Sequence, residues 1–280
     1  VSTDADADAP NRHHHVSEYF RLERWEIPPP PGSEAPSAFG GRAPVDAHQR
    51  NPAGGLRTGG LLTSVDSLGG FLCGVAVLPQ WIVTTSLMAT VARVDHVGPL
   101  RLHGEVVRRG RSAVVARLDV VDEGADEAGV ASALMTCAVL DPGAMDLEFA
   151  RPFVLPMGPL QEEAPAPEEF FGIDAGSGLV TRLALADHLR NPWGILHGGA
   201  VAMLADVAAC RAVAATVGSS SVAAGSTVLH YLRPSKVGPI EARCRVLDGG
   251  DGRHVVRVEM HDVGVDDRLV TLASVDVLEV

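Results

Sequence analysis

The sequence predicts an α+β chain built from two tandem copies of one unit, each unit a long apolar helix wrapped by a curved antiparallel sheet. Two observations carry that expectation. First, NPAGGLRTGGLLTSVD beginning at Asn51 recurs as NPWGILHGGAVAMLAD beginning at Asn191, and the offset of 140 holds without a gap well outside the motif. His48 and His188, Asp66 and Asp206, Arg93 and Arg233, Val97-Gly98-Pro99 and Val237-Gly238-Pro239, Gly110 and Gly250, and Arg117 and Arg257 all fall on it. Roughly two dozen identities over about a hundred aligned positions exceed chance, and self-similarity at a fixed offset means a repeated structural unit. Second, each copy follows the same order of patterns: a Gly-rich loop, a long apolar run, then runs rich in β-branched residues.

The elements can be justified in turn from the second copy. Residues 178–186 alternate like a short strand. The run Gly199–Val217 is apolar on nearly every side, and a helix without a polar face has to be enclosed. Four β-rich runs follow near 222–233, 239–247, 253–263 and 268–279. DGGDG after Leu247, and RRGR at Arg108 to Arg111 in the first copy, mark hairpin turns. Residues 1–15 read as a disordered tail, 16–140 as the first repeat and 170–280 as the second. Segment 141–169, rich in Pro and acidic residues, reads as the linker between them. Residues 16–44, with their PPPPG run, are only partly interpretable.

Composition narrows the function classes. At 280 residues and 46% hydrophobic content the chain can bury a sizeable core. The net charge of -12 argues against a nucleic-acid partner, which is gripped by clustered Lys and Arg that do not stand out here. Cys73, Cys137, Cys210 and Cys244 lie among apolar neighbours with no CxxC spacing, so they read as reduced core residues, and a cytoplasmic location is expected. No secretory signal is visible in the acidic N-terminal stretch. Asp206 and Arg211 interrupt the most apolar run, so a buried helix is expected there rather than a membrane span. His13, His14 and His15 lack spaced partners, and neither a metal nor a cofactor is expected.

The chemistry sits at the helix start. Gly198 and Gly199 leave room for a ligand to approach the main chain. The first N–H groups of a helix lack intrahelical partners and lie at the positive end of its dipole, so they can stabilise an oxyanion. Asp206, eight residues beyond Gly198, is about 12 Å further along the helix and cannot share a reacting carbon with it. Antiparallel packing of the two helices across a pseudo-twofold axis would instead pair Asn191, His197 and Gly198 with Asp66, and Asn51, Arg57 and Thr58 with Asp206. Competing structural readings stand beside these: the Asp residues as hydrogen-bonded core groups, the Asn residues as turn formers, His197 as a loop cap.

Asn191, the HGG triplet His197-Gly198-Gly199 and Asp206 resemble the motif of the hotdog-fold acyl-CoA thioesterase superfamily, in particular the phenylacetate-pathway thioesterase type. The resemblance implies a double hotdog that hydrolyses acyl-CoA to free acid and CoA between its two repeats. It implies that Gly198 N–H polarises the thioester carbonyl, that Asn191 and His197 fix the reacting group, and that an Asp activates water or attacks. It also implies a hydroxyl on the strand after the helix to hold that water, and Thr84 meets this where the second copy has Ala224. The first copy departs at Arg57 and Thr58, so the complete set is Asn191, His197 and Gly198 with Asp66 and Thr84. Asp206 belongs to a depleted second set, and Gly199, Asn51 and Thr58 are candidates for substrate contact. Arg93, Arg101, Arg108, Arg109, Arg233 and Lys236 are candidates for the CoA phosphates, against the reading of a solvated surface. CoA enters as part of the substrate, and a homodimer of pseudo-dimers is expected. The alternatives are a non-catalytic acyl-CoA-binding or regulatory protein and an acyl-CoA hydratase or dehydratase.

Overall fold

A computed structural model describes residues 15–29, 31–33, 37–141, 155–160, 164–175, 179–247 and 250–280. The first half contains α1 (His15–Tyr19), β1 (Glu23–Ile27), β2 (Ala38–Ala43), α2 (Thr58–Val77), β3 (Trp81–Val91), β4 (Leu100–Arg109), β5 (Ala113–Asp122) and β6 (Ala128–Leu140). The second contains α3 (Pro167–Phe170), β7 (Ile173–Ala175), β8 (Val180–Leu183), α4 (Gly198–Val217), β9 (Val222–Tyr231), β10 (Ile240–Leu247), β11 (Arg253–Asp262) and β12 (Arg268–Glu279). Helices α2 and α4 are displaced by 140 residues at both ends, as the repeat requires.

Before each long helix the sequence shows one strand, whereas the structure has an antiparallel pair, β1 with β2 and β7 with β8. Strand β7 has three residues, too few to display an alternation. The expected tail falls almost wholly on residues 1–14, outside the described residues, and so do 142–154 and 161–163 of the expected linker. The described remainder of that linker packs on the first half. Leu155 bridges Arg24 and Tyr19 Oη donates to Pro165 O at 2.8 Å; just past the linker, the Phe170 ring stacks on Tyr19.

The strands form one antiparallel sheet in the order β1-β2-β4-β5-β6-β3-β9-β12-β11-β10-β8-β7. Its two halves join where β3 pairs with β9, and Met88 lies opposite Val228. These two residues occupy the same position in their copies, so the pseudo-twofold axis passes between them. Both long helices lie against the sheet with Leu61, Leu62, Val65, Leu68 and Leu72 of α2 and Val201 to Ala205 of α4 buried. By length and apolar content each could cross a membrane, but here the apolar surface is covered by the sheet and by the other helix.

The helices run antiparallel and touch at two glycines. A Cβ on Gly59 would lie 2.7 Å from Met203 Cα, and one on Gly199 would lie 2.8 Å from Thr63 Cα. Such backbone approach is open only to glycine. The contact places the start of each helix beside the middle of the other. A second repeated pair does purely structural work: Asp122 and Asp262, both fully buried, accept three backbone N–H bonds each and hold the turns at Gly98 and Gly238. Recurrence of an Asp in both copies is therefore not by itself a sign of chemistry.

Candidate active site

At the first helix junction, α4 begins against Asp66 of α2. Asp66 is only 6% exposed, and its carboxylate lies so close to Gly198 that a Cβ there would be 2.6 Å from Oδ2 and 2.8 Å from Oδ1. Thr84, on β3, donates from Oγ1 to Asp66 Oδ1 at 3.0 Å. His197 Nδ1 is 3.5 Å from Asp66 Oδ2, but its lone pair is already taken by Gly199 N–H at 3.0 Å. A neutral His197 accepting at Nδ1 carries its proton on Nε2. Among the described residues Gly198 N–H, the first of the helix, has no protein acceptor. The structure thus brings Asp66, Thr84, His197, Gly198 and Gly199 together.

The second junction has the same topology and different chemistry. Arg57 stands where His197 stands, and a guanidinium has only donors, so it cannot cap the helix. Gly59 N–H, the counterpart of Gly199 N–H, turns instead to Asp206 Oδ2 at 2.7 Å. Arg57 Nη1 approaches Asp206 Oδ1 at 3.4 Å and its Nη2 binds Glu168 at 2.9 Å. Burial disfavours the Arg57 cation, but Asp206 and Glu168 outweigh it and hold the guanidinium above its usual pKa. Asp206, 4% exposed, also accepts from Cys210. Thr58, where the other copy has Gly198, donates to Ala224 O at 2.5 Å. The carboxylate here is ion-paired to Arg57 and hydrogen-bonded to the backbone.

The asparagines hold turns. Asn51 is buried and donates from Nδ2 to Val94 O and Leu56 O, while its Oδ1 accepts from Gly55 N–H. Asn51 and Thr58, the candidates for substrate contact, both bind backbone through their side chains. Asn191 Oδ1 accepts from Trp193 and Ile195 N–H, which shapes the loop leading into His197. That loop is fastened to the first half by Trp193, whose Nε1 donates to Ile82 O at 3.2 Å and whose ring meets Trp81 edge-on.

Sequence reasoning missed Tyr231, at the end of β9. Its hydroxyl donates to Gly198 O at 3.1 Å. The Gly198–Gly199 peptide is therefore pinned at its carbonyl by Tyr231 and at its N–H by His197. Burial, with the Asp66 charge and Cys137 adding to it, pushes the Tyr231 phenol up, which keeps it a donor. A signal was available: the aligned residue in the first copy is Val91, so Tyr231 is present only at the junction that keeps its histidine. Of the candidate phosphate ligands, Arg93 is paired with Asp95 and Arg101 with Glu123 and Glu127. Among the described residues no group of three or more His, Cys, Asp or Glu is arranged to hold a metal ion.

Two halves with one enclosed helix each, a continuous sheet and a site at the helix-to-helix junction define a double-hotdog protein. Residues 194–267, within the second half, match the model of the thioesterase superfamily. A stretch of 75 residues is 39% identical to a Caenorhabditis elegans protein that carries a provisional esterase name. It covers 26% of this chain and 44% of that relative, so the chain matches less than half of the relative's length. The tesB protein of Mycobacterium avium subsp. paratuberculosis has a TM-score of 0.59 at 10% identity, over 96% of this chain and 99% of its own. An acyl-CoA thioesterase II, TesB2, from Mycobacterium marinum has a TM-score of 0.56 at 16% identity, over 94% and 97%. At such identities the likeness is one of fold, and the fold shared over nearly the whole chain is the double hotdog.

Proposed function

We propose that the protein is a thioesterase that hydrolyses acyl-CoA to the free acid and CoA, using one site composed of both halves. The observation that carries this reading is the meeting of Asp66 with Gly198: a buried carboxylate from one half beside a helix-start N–H from the other that has no acceptor among the described residues. The thioester carbonyl oxygen would lie at Gly198 N–H, where the helix dipole and the free donor stabilise the charge that develops on it. Asp66 would take a proton from water held by Thr84 as the water oxygen bonds to the carbonyl carbon. The C–S bond then breaks and that proton passes to the leaving thiolate. In the alternative route Asp66 attacks directly and water cleaves the resulting anhydride. Either route consumes one water and no other group. The occupied state of Asp206, and the loss of Thr84's counterpart at Ala224, favour a single working site.

The test is free-thiol release from acyl-CoAs of graded chain length and from aryl-CoAs. The aryl arm addresses the phenylacetate-type motif. Asp66→Asn should abolish turnover while Asp206→Asn spares it. Binding of acyl-CoA without turnover in the wild type would make the protein a non-catalytic acyl-CoA binder and overturn the enzyme reading.

A further inference from the structure

We infer that the β4–β5 hairpin, Arg108 to Arg111, is the docking point for the phosphate groups of the CoA moiety; this rests on the thioesterase reading above and extends it to the non-reacting end of the substrate. The sheet register places the hairpin. Arg109 lies opposite Val114, Val114 opposite Cys137 and Cys137 opposite Thr84, one row across four strands. Directly opposed residues project to the same face of a sheet. Val114 and Cys137 are fully buried and Thr84 binds Asp66, so this row faces the helices and Arg109 is its open end. Three inter-strand spacings separate it from Thr84, about 14 Å. The start of β3, with Trp81, and the loop with Trp193 lie at this same end of the sheet.

Charge singles the hairpin out. Arg108, Arg109 and Arg111 are exposed, and among the described residues none has a carboxylate partner. Elsewhere in the same half Arg42, Arg93, Arg101 and Arg117 are all ion-paired. Three unneutralised cations within four residues stand out in a chain of net charge -12. The second copy supplies the control, because the aligned stretch reads Asp248-Gly249-Gly250-Asp251. Thus the half that contributes Asp66 and Thr84 carries three cations on its hairpin, and the sequence of the half whose Asp206 is held by Arg57 has two acidic residues at the aligned positions. A hairpin kept positive only for solvation, or to offset the α2 C-terminus, has no reason to follow the state of the site. One that receives phosphates does, since guanidinium pairs with them bidentately.

The full chain, wild type and Arg108→Ala/Arg109→Ala/Arg111→Ala, should be assayed with one acyl group carried on CoA and on pantetheine, which lacks the phosphates. The triple variant should raise KM for acyl-CoA roughly tenfold, as three exposed charge contacts allow, with kcat and all values for acyl-pantetheine unchanged. The triple Arg→Lys variant should restore most of the loss, and added salt should raise KM of the wild type more than that of the Ala variant. An unchanged acyl-CoA KM in the Ala variant overturns the inference. So does a hairpin effect confined to thioesters of an acidic carrier protein. If the wild type cleaves neither substrate, the thioesterase reading fails, and equilibrium binding of free CoA then decides the subsite alone: equal affinity in wild type and Ala variant rules it out.

Discussion

Gly198→Ala is the substitution with the sharpest expected consequence. The added Cβ would sit 2.6 Å from Asp66 Oδ2, 2.8 Å from Oδ1 and 2.9 Å from Cγ. Ordinary contact requires about 3.5 Å, so the carboxylate has to withdraw by roughly 0.6–0.9 Å. Asp66 cannot do so and keep its 3.0 Å hydrogen bond from Thr84. Displacement of a reacting group by about 1 Å costs on the order of 100-fold in rate, or about 2.7 kcal/mol of transition-state stabilisation. Stability should fall by only about 1 kcal/mol, because the helix propensity of Ala offsets part of the weakened Thr84 hydrogen bond. Thiol-release kinetics and urea denaturation, run on the same preparation, separate the two effects. Gly199→Ala is the contrast: its Cβ would meet Thr63 Cγ2 at 2.6 Å and Thr63 Cα at 2.8 Å. Backbone cannot rotate away, so overpacking should cost about 1–3 kcal/mol of stability. A Gly198→Ala enzyme with kcat within about threefold of wild type, at a barrier cost well under 1 kcal/mol, would refute the placement of the reaction at this junction.

Other expectations follow from the same contacts. Arg57→Met leaves the Asp206 carboxylate buried beside Gly59 N–H without its cation, which should lower unfolding free energy by about 2 kcal/mol; adding Asp206→Asn should recover part of it, with thiol release unaffected throughout. Tyr231→Phe removes the donor to Gly198 O, so kcat should fall with little change in KM, and stability should drop by about 1 kcal/mol. Hydrogen bonds from Arg243 hold the carboxyls of Glu241, which Arg182 also binds, and Asp267 below their usual pKa. Because the folded-state values are depressed, their stabilisation is present above the unfolded carboxylate pKa and is lost as pH falls through the folded values. Arg243→Gln should therefore be less stable than wild type at neutral pH, and the two unfolding curves should converge in strong acid.

Much of the fold was legible because its evidence is periodic. The 140-residue offset, the apolar helices and the β-rich runs depend on local pattern, and α2, α4 and the eight strands after them lie where those patterns run. Strands β1 and β7 escaped notice because five and three residues do not establish a period, and because a Pro-rich stretch follows β1. The helix-length argument, which forbids Gly198 and Asp206 from sharing a reacting carbon, also needs only the rise per residue. His197 accepts the Gly199 N–H as a helix cap does, and the asparagines of both copies hydrogen-bond the backbone of their turns.

By itself, then, the sequence determined that the chain is a duplicated unit and where its long helices lie, and it pointed to a glycine pair from one copy meeting an aspartate from the other. The sequence also pointed to Asp66 rather than Asp206, and tertiary structure alone decided how each aspartate is engaged. That outcome turns on a contest for one helix-start N–H: His197 accepts it and leaves Asp66 to Thr84, whereas Arg57, a donor only, lets Gly59 bind Asp206. It likewise revealed Tyr231 behind Gly198, more than thirty positions away in the chain. Such contests are between groups far apart in sequence, and their result depends on tenths of an ångström that exist only once the two helices have packed.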